Sequence, residues 1–483
     1  MPSLRDLELR HSFYYLRILQ DADRTCRDGG EAALRGLAIV DAEWEHIQVG
    51  QRNAHRYLSR DKEAAKACSL YAGVGGTVRN IRQQARDRVA WLRAGLVAAR
   101  RLGDEEAKGR HLSNLGTAYF DLDEIDKSLE CHKARLKIAR KLRDPKAEAY
   151  ALGGLALVNA HQGHSREAVK KYKKAIELFR ERGDWRGETN ALLNLALALG
   201  ELGDHADAIL GLKRCVRVYR TRKDGFGQAN ALASLAGSLF SVGKFRAAVR
   251  ASQAALVLQR ALNDQRGEER SLSHLGMSQA AVGRYEDAMA SFERALAICK
   301  NFENLFGQAA LLNSIGVVFR AQGRLHEARK YYISALHISR KIRHRKLEGE
   351  LLNNVGSVFL AAGEPARALP YYREALLLSR DVEDLGTQAA ALSNLGAANL
   401  DLHMSRRGIN YLRKAITVAI RTGDRITEAD ARFNWSVALS RLGERPRALA
   451  QARKSLRIYD RCGSKRAADV RQRITQWNQE RLS

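Results

Sequence analysis

Proline is scarce in this chain, with five residues in 483. A proline inside a helix removes a backbone donor and clashes with the preceding turn, so this shortage leaves room for long uninterrupted helices. No run of about 18 apolar residues occurs, so no helical membrane span is expected. The opening stretch MPSLRDLELRHSFYY carries charges throughout and has no apolar core. A secretory signal is therefore not expected, and the cytoplasm is the expected location. The six cysteines (Cys26, Cys68, Cys131, Cys215, Cys299 and Cys462) form no CxxC pair. They read as small buried thiols of a reducing compartment, not as zinc ligands or disulfides.

Signatures of catalysis are missing as well. The 13 histidines show no metal-ligand spacing. His326 and Glu327 begin an HExxH-like string, but Lys330 stands where the second zinc ligand belongs. The one glycine-rich stretch, GVGGT at 73–77, lacks the lysine of a phosphate-binding loop and reads as a turn between helices. There is no GxSxG, and no nucleophile, base and orienting group fall into a recognisable set. No enzyme activity, cofactor or metal is expected. Acidic residues are also in deficit: 82 Lys and Arg face 54 Asp and Glu, a formal charge of +28. That excess permits contact with nucleic acid, an acidic protein or an anionic membrane surface, and does not choose among them.

What the chain has is a period of 40. The position of Leu115 is refilled by Leu155, Leu195, Leu235, Leu275, Ile315, Val355, Leu395 and Trp435. The next position reads Gly116, Ala156, Ala196, Ala236, Gly276, Gly316, Gly356, Gly396 and Ser436. A turn glycine recurs at 163, 203, 243, 283, 323, 363 and 443, followed by a small-residue position running from Ser128 and Ala168 to Ala448. A repeat this regular, without insertion, decides the architecture before any local propensity does.

Each copy reads as two helices. The first starts at an aspartate (Asp144, Asp184, Asp224, Asp264, Asp384, Asp424), whose carboxylate accepts from the free amides of a first turn. It runs about 16 residues to the turn glycine, which tolerates positive φ. The second helix shows apolar residues at Ala168, Tyr172, Ala175, Ile176 and Phe179, one face of a helix from about 165 to 182. Small residues let the paired backbones approach, and stacking of neighbouring pairs buries what one pair cannot.

The order apolar, Gly or Ala, aromatic, turn Gly, Ala, aromatic, Ala resembles the tetratricopeptide repeat. In residues 345–384 it is carried by Leu352, Val355, Gly356, Phe359, Ala368, Tyr372 and Ala375. The usual unit has 34 residues. This one is similar to a 40-residue variety known from Pins-like scaffolds and bacterial signalling proteins, with Gly183, Asp184, Gly187, Glu188, Asn194 and Leu195 showing its cadence. The resemblance implies an all-α helix-turn-helix solenoid, a right-handed superhelix with first helices on its inner side. The expected organisation is an N-terminal helical cap over 1–60, a degenerate repeat over 61–103, nine repeats over 104–463 and a capping helix over 464–483. Residues 1–60 also resemble, through His11 to Tyr15 and Glu43–Trp44–Glu45, the segment that joins the NTPase core to the repeat arm in bacterial STAND-type regulators.

The resemblance places Asn114, Asn194, Asn354, Asn394 and Asn434, with Gly154, Ser234, His274 and Ser314, on the inner face of the first helices. Asn313 and Asn353 adjoin them; Asn190, Asn230, Arg270 and Glu350 lie one turn earlier and Arg320 one turn later. Asparagine is a poor helix former, so its repeated use inside helices requires a reason. An amide has both donor and acceptor and pairs with both groups of a peptide backbone. In peptide-binding members of the family asparagines here hold an extended ligand; the competing reading is that they tie adjacent helices together. Arg110, Arg270, Arg320, Glu350, Asp401 and Asp430 would set side-chain specificity. The expected function is thus a scaffold or sensor arm for a peptide or protein, in bacterial signalling or regulation. The alternative is a nucleic-acid-associated regulator using the basic runs 170–174, 213–223 and 340–346, which fall mainly on second helices; an acidic partner there is a further option.

Overall fold

The computed structural model describes residues 2–27, 30–74, 85–462, 464 and 466–479. Among these the chain is all-α, with 23 helices and no strand. The chain opens with α1 (Leu4–Arg27), α2 (Gly30–Tyr57), α3 (Lys62–Gly73) and α4 (Ala85–Leu102). First helices follow as α5 (Glu105–Phe120), α7 (Pro145–His161), α9 (Trp185–Glu201), α11 (Gly225–Ser241), α13 (Gln265–Ala281), α15 (Leu305–Ala321), α17 (Arg345–Ala361), α19 (Leu385–Asp401) and α21 (Arg425–Arg441). Between them stand second helices α6 (Ile125–Lys141), α8 (Ser165–Glu181), α10 (His205–Thr221), α12 (Phe245–Ala261), α14 (Tyr285–Asn301), α16 (Leu325–Lys341), α18 (Pro365–Asp381), α20 (Ser405–Thr422) and α22 (Arg445–Arg461). A final helix, α23 (Arg466–Gln479), lays Ala467, Val470 and Trp477 onto the last pair. The GVGGT stretch enters the described residues only through Gly73, which ends α3, and Val74, its C-cap; positions 75–77 lie outside them.

The chain divides into two compact units, Met1–Arg284 and Tyr285–Ser483. Within each, neighbouring helices pack pairwise along the chain, as a solenoid requires.

The aspartates do what their chemistry dictates. Asp144, Asp184, Asp224 and Asp264 each accept from the amide three residues on, at 2.9 to 3.0 Å. Asp384 and Asp424 do the same. Asn304 and the imidazole Nδ1 of His344 fill the role in the two repeats without aspartate. Such a cap is worth about 1 kcal/mol. Seven turn glycines adopt φ between 73° and 88°. The turn after the second helix is also left-handed, yet it uses Arg143, Lys223, Asn263, Glu303, Arg343 and Glu383 in most repeats.

Packing explains the small residues inside helices. Tyr172, Tyr332 and Tyr372 on the second helices are fully buried. Tyr332 lies on Gly316 and Tyr372 on Gly356; a Cβ on either glycine would come within 2.6 and 2.7 Å of the ring. Truncating a buried ring of this kind costs about 3–5 kcal/mol. In the first repeat His132 takes the ring position, seated between Gly116 and Gly154. Burial pushes its pKa down to about 4.

Five cysteines are buried, as expected, but Cys462 is exposed. It is the C-cap of α22, a position where Leu142 and Val382 in earlier repeats are exposed too. No described helix is long and apolar enough to cross a membrane.

Candidate functional site

In the unit Tyr285–Ser483 the first helices place their asparagines in a linked row. Asn354 Nδ2 donates to Asn313 Oδ1 at 2.8 Å, and Asn394 Nδ2 donates to Asn353 Oδ1 at 3.0 Å. Asn394 also reaches Ser357 Oγ at 3.4 Å. Both amide pairs join residues 41 apart, because one period plus one step brings adjoining positions of neighbouring helices face to face. All four side chains are half-buried. Each amide spends one end in its partner: the Nδ2 groups of Asn313 and Asn353 and the Oδ1 groups of Asn354 and Asn394 stay outside these pairs. Tying adjacent helices thus consumes half of the amide chemistry and leaves half.

Around this row, Arg320 is exposed at the end of α15. It faces the tyrosine positions, and its charge opposes the effect of burial, which pushes the Tyr372 hydroxyl up to about 12. Glu350 is raised above its ordinary value, mainly by burial and further by Asp384, while Lys346 opposes. Asp401 is exposed at the end of α19. Farther on, Asp430 accepts from both the Tyr459 hydroxyl and Arg466. These groups, with Asn434, line a cavity of about 250 Å³.

The unit Met1–Arg284 uses the same positions differently. Asn190 Oδ1 accepts from the Tyr219 hydroxyl at 2.6 Å, and Asn230 Oδ1 accepts from Arg270 at 2.7 Å. Asn114 is exposed and Asn194 half-buried, and Arg110 pairs with Glu106 on its own helix. His274 is half-buried on α13. Burial, then the charge of Arg270, lowers its pKa.

The basic side chains of these runs are mostly exposed, while Tyr172, Cys215 and Tyr219 among them are buried, and the charge is partly neutralised. Lys170 pairs with Glu167, Lys174 with Glu177, and Arg340 with Glu348 and Glu374. Among the described residues no cluster of three metal-ligating side chains is present. Ser69 and His111 meet at 3.0 Å, a serine–histidine pair that sequence reading missed. They come from different helices at a spacing that no motif marks. Both are buried, and the pair is a core hydrogen bond.

The tetratricopeptide repeat profile matches residues 108–181, 151–221, 227–301 and 307–381, more than half of the chain. Among solved structures the chain is similar to a Rap protein complexed with competence and sporulation factor, at 12% identity and a TM-score of 0.54, covering 79% of this chain and 98% of that one. It is similar as well to the apo form of the quorum sensor NprR from B. thuringiensis, at 12% identity and a TM-score of 0.51, covering 72% of this chain and 98% of that one. At such identity these likenesses speak for the fold alone. No curated protein matches the sequence. With its helical pairs, caps and matched residues taken together, the chain belongs to the tetratricopeptide repeat family.

Proposed function

We propose that this protein is an interaction scaffold or sensor arm that binds an extended peptide or a segment of a partner protein along the asparagine-bearing face of its first helices. The observation that carries the reading is the half-used amide row at Asn313, Asn353, Asn354 and Asn394. Interhelical bonding fixes each amide in orientation, and the remaining donors and acceptors match the alternating groups of a peptide main chain. Asn434 continues the column within the second unit, and Asn194 holds the equivalent position in the first. Preorganised amides lower the ordering cost of binding. Arg270, Arg320, Glu350 and His274 contribute selectivity for ligand side chains. The similar Rap structure holds competence and sporulation factor, and NprR is a quorum sensor; a regulatory role in bacterial signalling is the matching proposal here. The 40-residue unit and the likeness of residues 1–60 to the linking segment of STAND-type regulators support an arm that works with a partner protein.

The test is capture of partners from nuclease-treated source lysate. A variant with Asn194, Asn354 and Asn394 all changed to Ala is expected to keep its helical circular dichroism and lose the captured protein. Undiminished capture by the folded variant would sink the reading. Capture that appears only when nucleic acid is restored, and falls steeply with salt, would transfer the function to the basic second-helix surfaces.

A further inference from the structure

The face of α11 is hollowed. Gly237 occupies the position held by Leu197, Met277 and Val317 in neighbouring repeats, and the residues around it are Ala233, Ser234 and Ser238. Gly200 of α9 faces the same space. The result is a cavity of about 500 Å³, walled mainly by carbon, within the size range of small-ligand sites. The imidazole of His274 lies against the bare Gly237 backbone: a Cβ there would stand 3.4 Å from its Cε1 and 3.6 Å from its Nε2. The His274 ring forms one wall of the cavity.

Charge at the rim selects what enters. Glu201 accepts from the Ser165 hydroxyl at 2.7 Å, so part of its carboxylate is engaged. Arg270 is exposed, and its Nη2 donates to Asn230 Oδ1 at 2.7 Å. A guanidinium has five N–H donors, so donors remain on Arg270, and among the described residues no carboxylate pairs with it. Asn230 holds the guanidinium beside the cavity without neutralising it.

We propose that this cavity is a side-chain pocket for a bulky apolar residue of a bound peptide, with a carboxylate of the same ligand paired to Arg270. The inference deepens the peptide-binding reading and rests on it for the extended backbone, but the pocket is testable alone. It commits the ligand to one chemistry, an aromatic or large aliphatic side chain next to a terminal or side-chain carboxylate.

The probes are N-acetyl-phenylalanine, its C-terminal amide and N-acetyl-alanine, titrated into the full chain and followed by saturation-transfer NMR. N-acetyl-phenylalanine is expected to bind saturably, and the amide about tenfold more weakly, the loss of one charge-assisted pair. N-acetyl-alanine is expected not to bind. Arg270→Gln should bring N-acetyl-phenylalanine down to the level of the amide and leave the amide unchanged. Gly237→Leu should abolish binding of both aromatic probes while keeping the fold; Ser238→Leu serves if that variant does not fold. Retained probe binding in a folded cavity-filling variant, or equal binding of the alanine probe, overturns the pocket. The two readings separate cleanly. Probe binding lost in Gly237→Leu alongside normal partner capture by the triple asparagine variant leaves the pocket standing and removes the amide groove. The opposite pair of results removes the pocket and leaves the groove.

Discussion

On α17 two adjoining positions of the period carry Asn353 and Asn354, whose amides lock to α19 and α15. On α11 the same two positions carry Ala233 and Ser234, beside a cavity. The backbone in both places is the same 17-residue helix between the same kinds of turn. A solenoid therefore has two layers of information. Columns that touch the second helices are held by packing and change little along the chain. Columns on the opposite side of the first helix are free of that demand, and there each unit can be furnished for a different purpose.

The two kinds of glycine break the comparison most sharply. Gly356 is closed by the fully buried ring of Tyr372, with a Cβ at 2.7 Å from one ring carbon and 2.9 Å from the next. Gly237 meets only ordinary contacts, the nearest at 3.4 Å. Alanine improves intrinsic helix stability by about 1 kcal/mol at either place. At Gly356 overpacking outweighs that gain, so Gly356→Ala is expected to destabilise by about 1–2 kcal/mol. Gly237→Ala is expected to be neutral or to stabilise by up to about 1 kcal/mol. Urea midpoints of the two variants check this; equal shifts of the same sign would show that both glycines serve packing alone.

A smaller effect belongs to the amide row. Changing Asn353 and Asn354 together to Ala removes two interhelical hydrogen bonds, each worth about 1 kcal/mol, and returns much of that in helix propensity. The expected net loss is about 1 kcal/mol, visible as faster amide hydrogen exchange in α15, α17 and α19. A loss of several kcal/mol would mean that the row is chiefly structural, and the binding role would shrink accordingly.

How much of this was legible in the sequence follows from the same division. The 40-residue register, the aspartate caps and the turn glycines were readable because each repeats a physical demand nine times or nearly so. Asn304 and His344 as caps were not, since the register marks the position but a different side chain fills it. The pairing of Asn354 with Asn313 needed a helix-to-helix offset that a column of letters does not contain. The bond from Tyr219 to Asn190 was hidden for the same reason. The hollow at Gly237 had a readable signal, the one glycine in a column that otherwise reads Thr117, Leu157, Leu197, Met277, Val317, Ser357, Ala397 and Val437, but only the structure shows that a cavity remains beside it.

The finest distinction concerns one position of the period, filled by Arg270 on α13 and by Glu350 on α17. Arg270 is exposed. Glu350 is half-buried, and burial, with Asp384 adding to it, raises its pKa from 4.5. A carboxyl raised in the folded state holds its proton more tightly there than in the unfolded chain. The contribution to stability is therefore fully present below pH 4.5 and is lost as pH climbs through the raised folded value. Glu350→Gln cannot lose a proton, so its stability relative to wild type should rise across that window and level off above it. Below pH 4.5 the two proteins should differ by the same amount at every pH. Urea unfolding from acid to neutral pH reads the difference directly. Parallel curves throughout would show that Glu350 is as well solvated as Arg270, and that α13 and α17 differ at this position in sign of charge only.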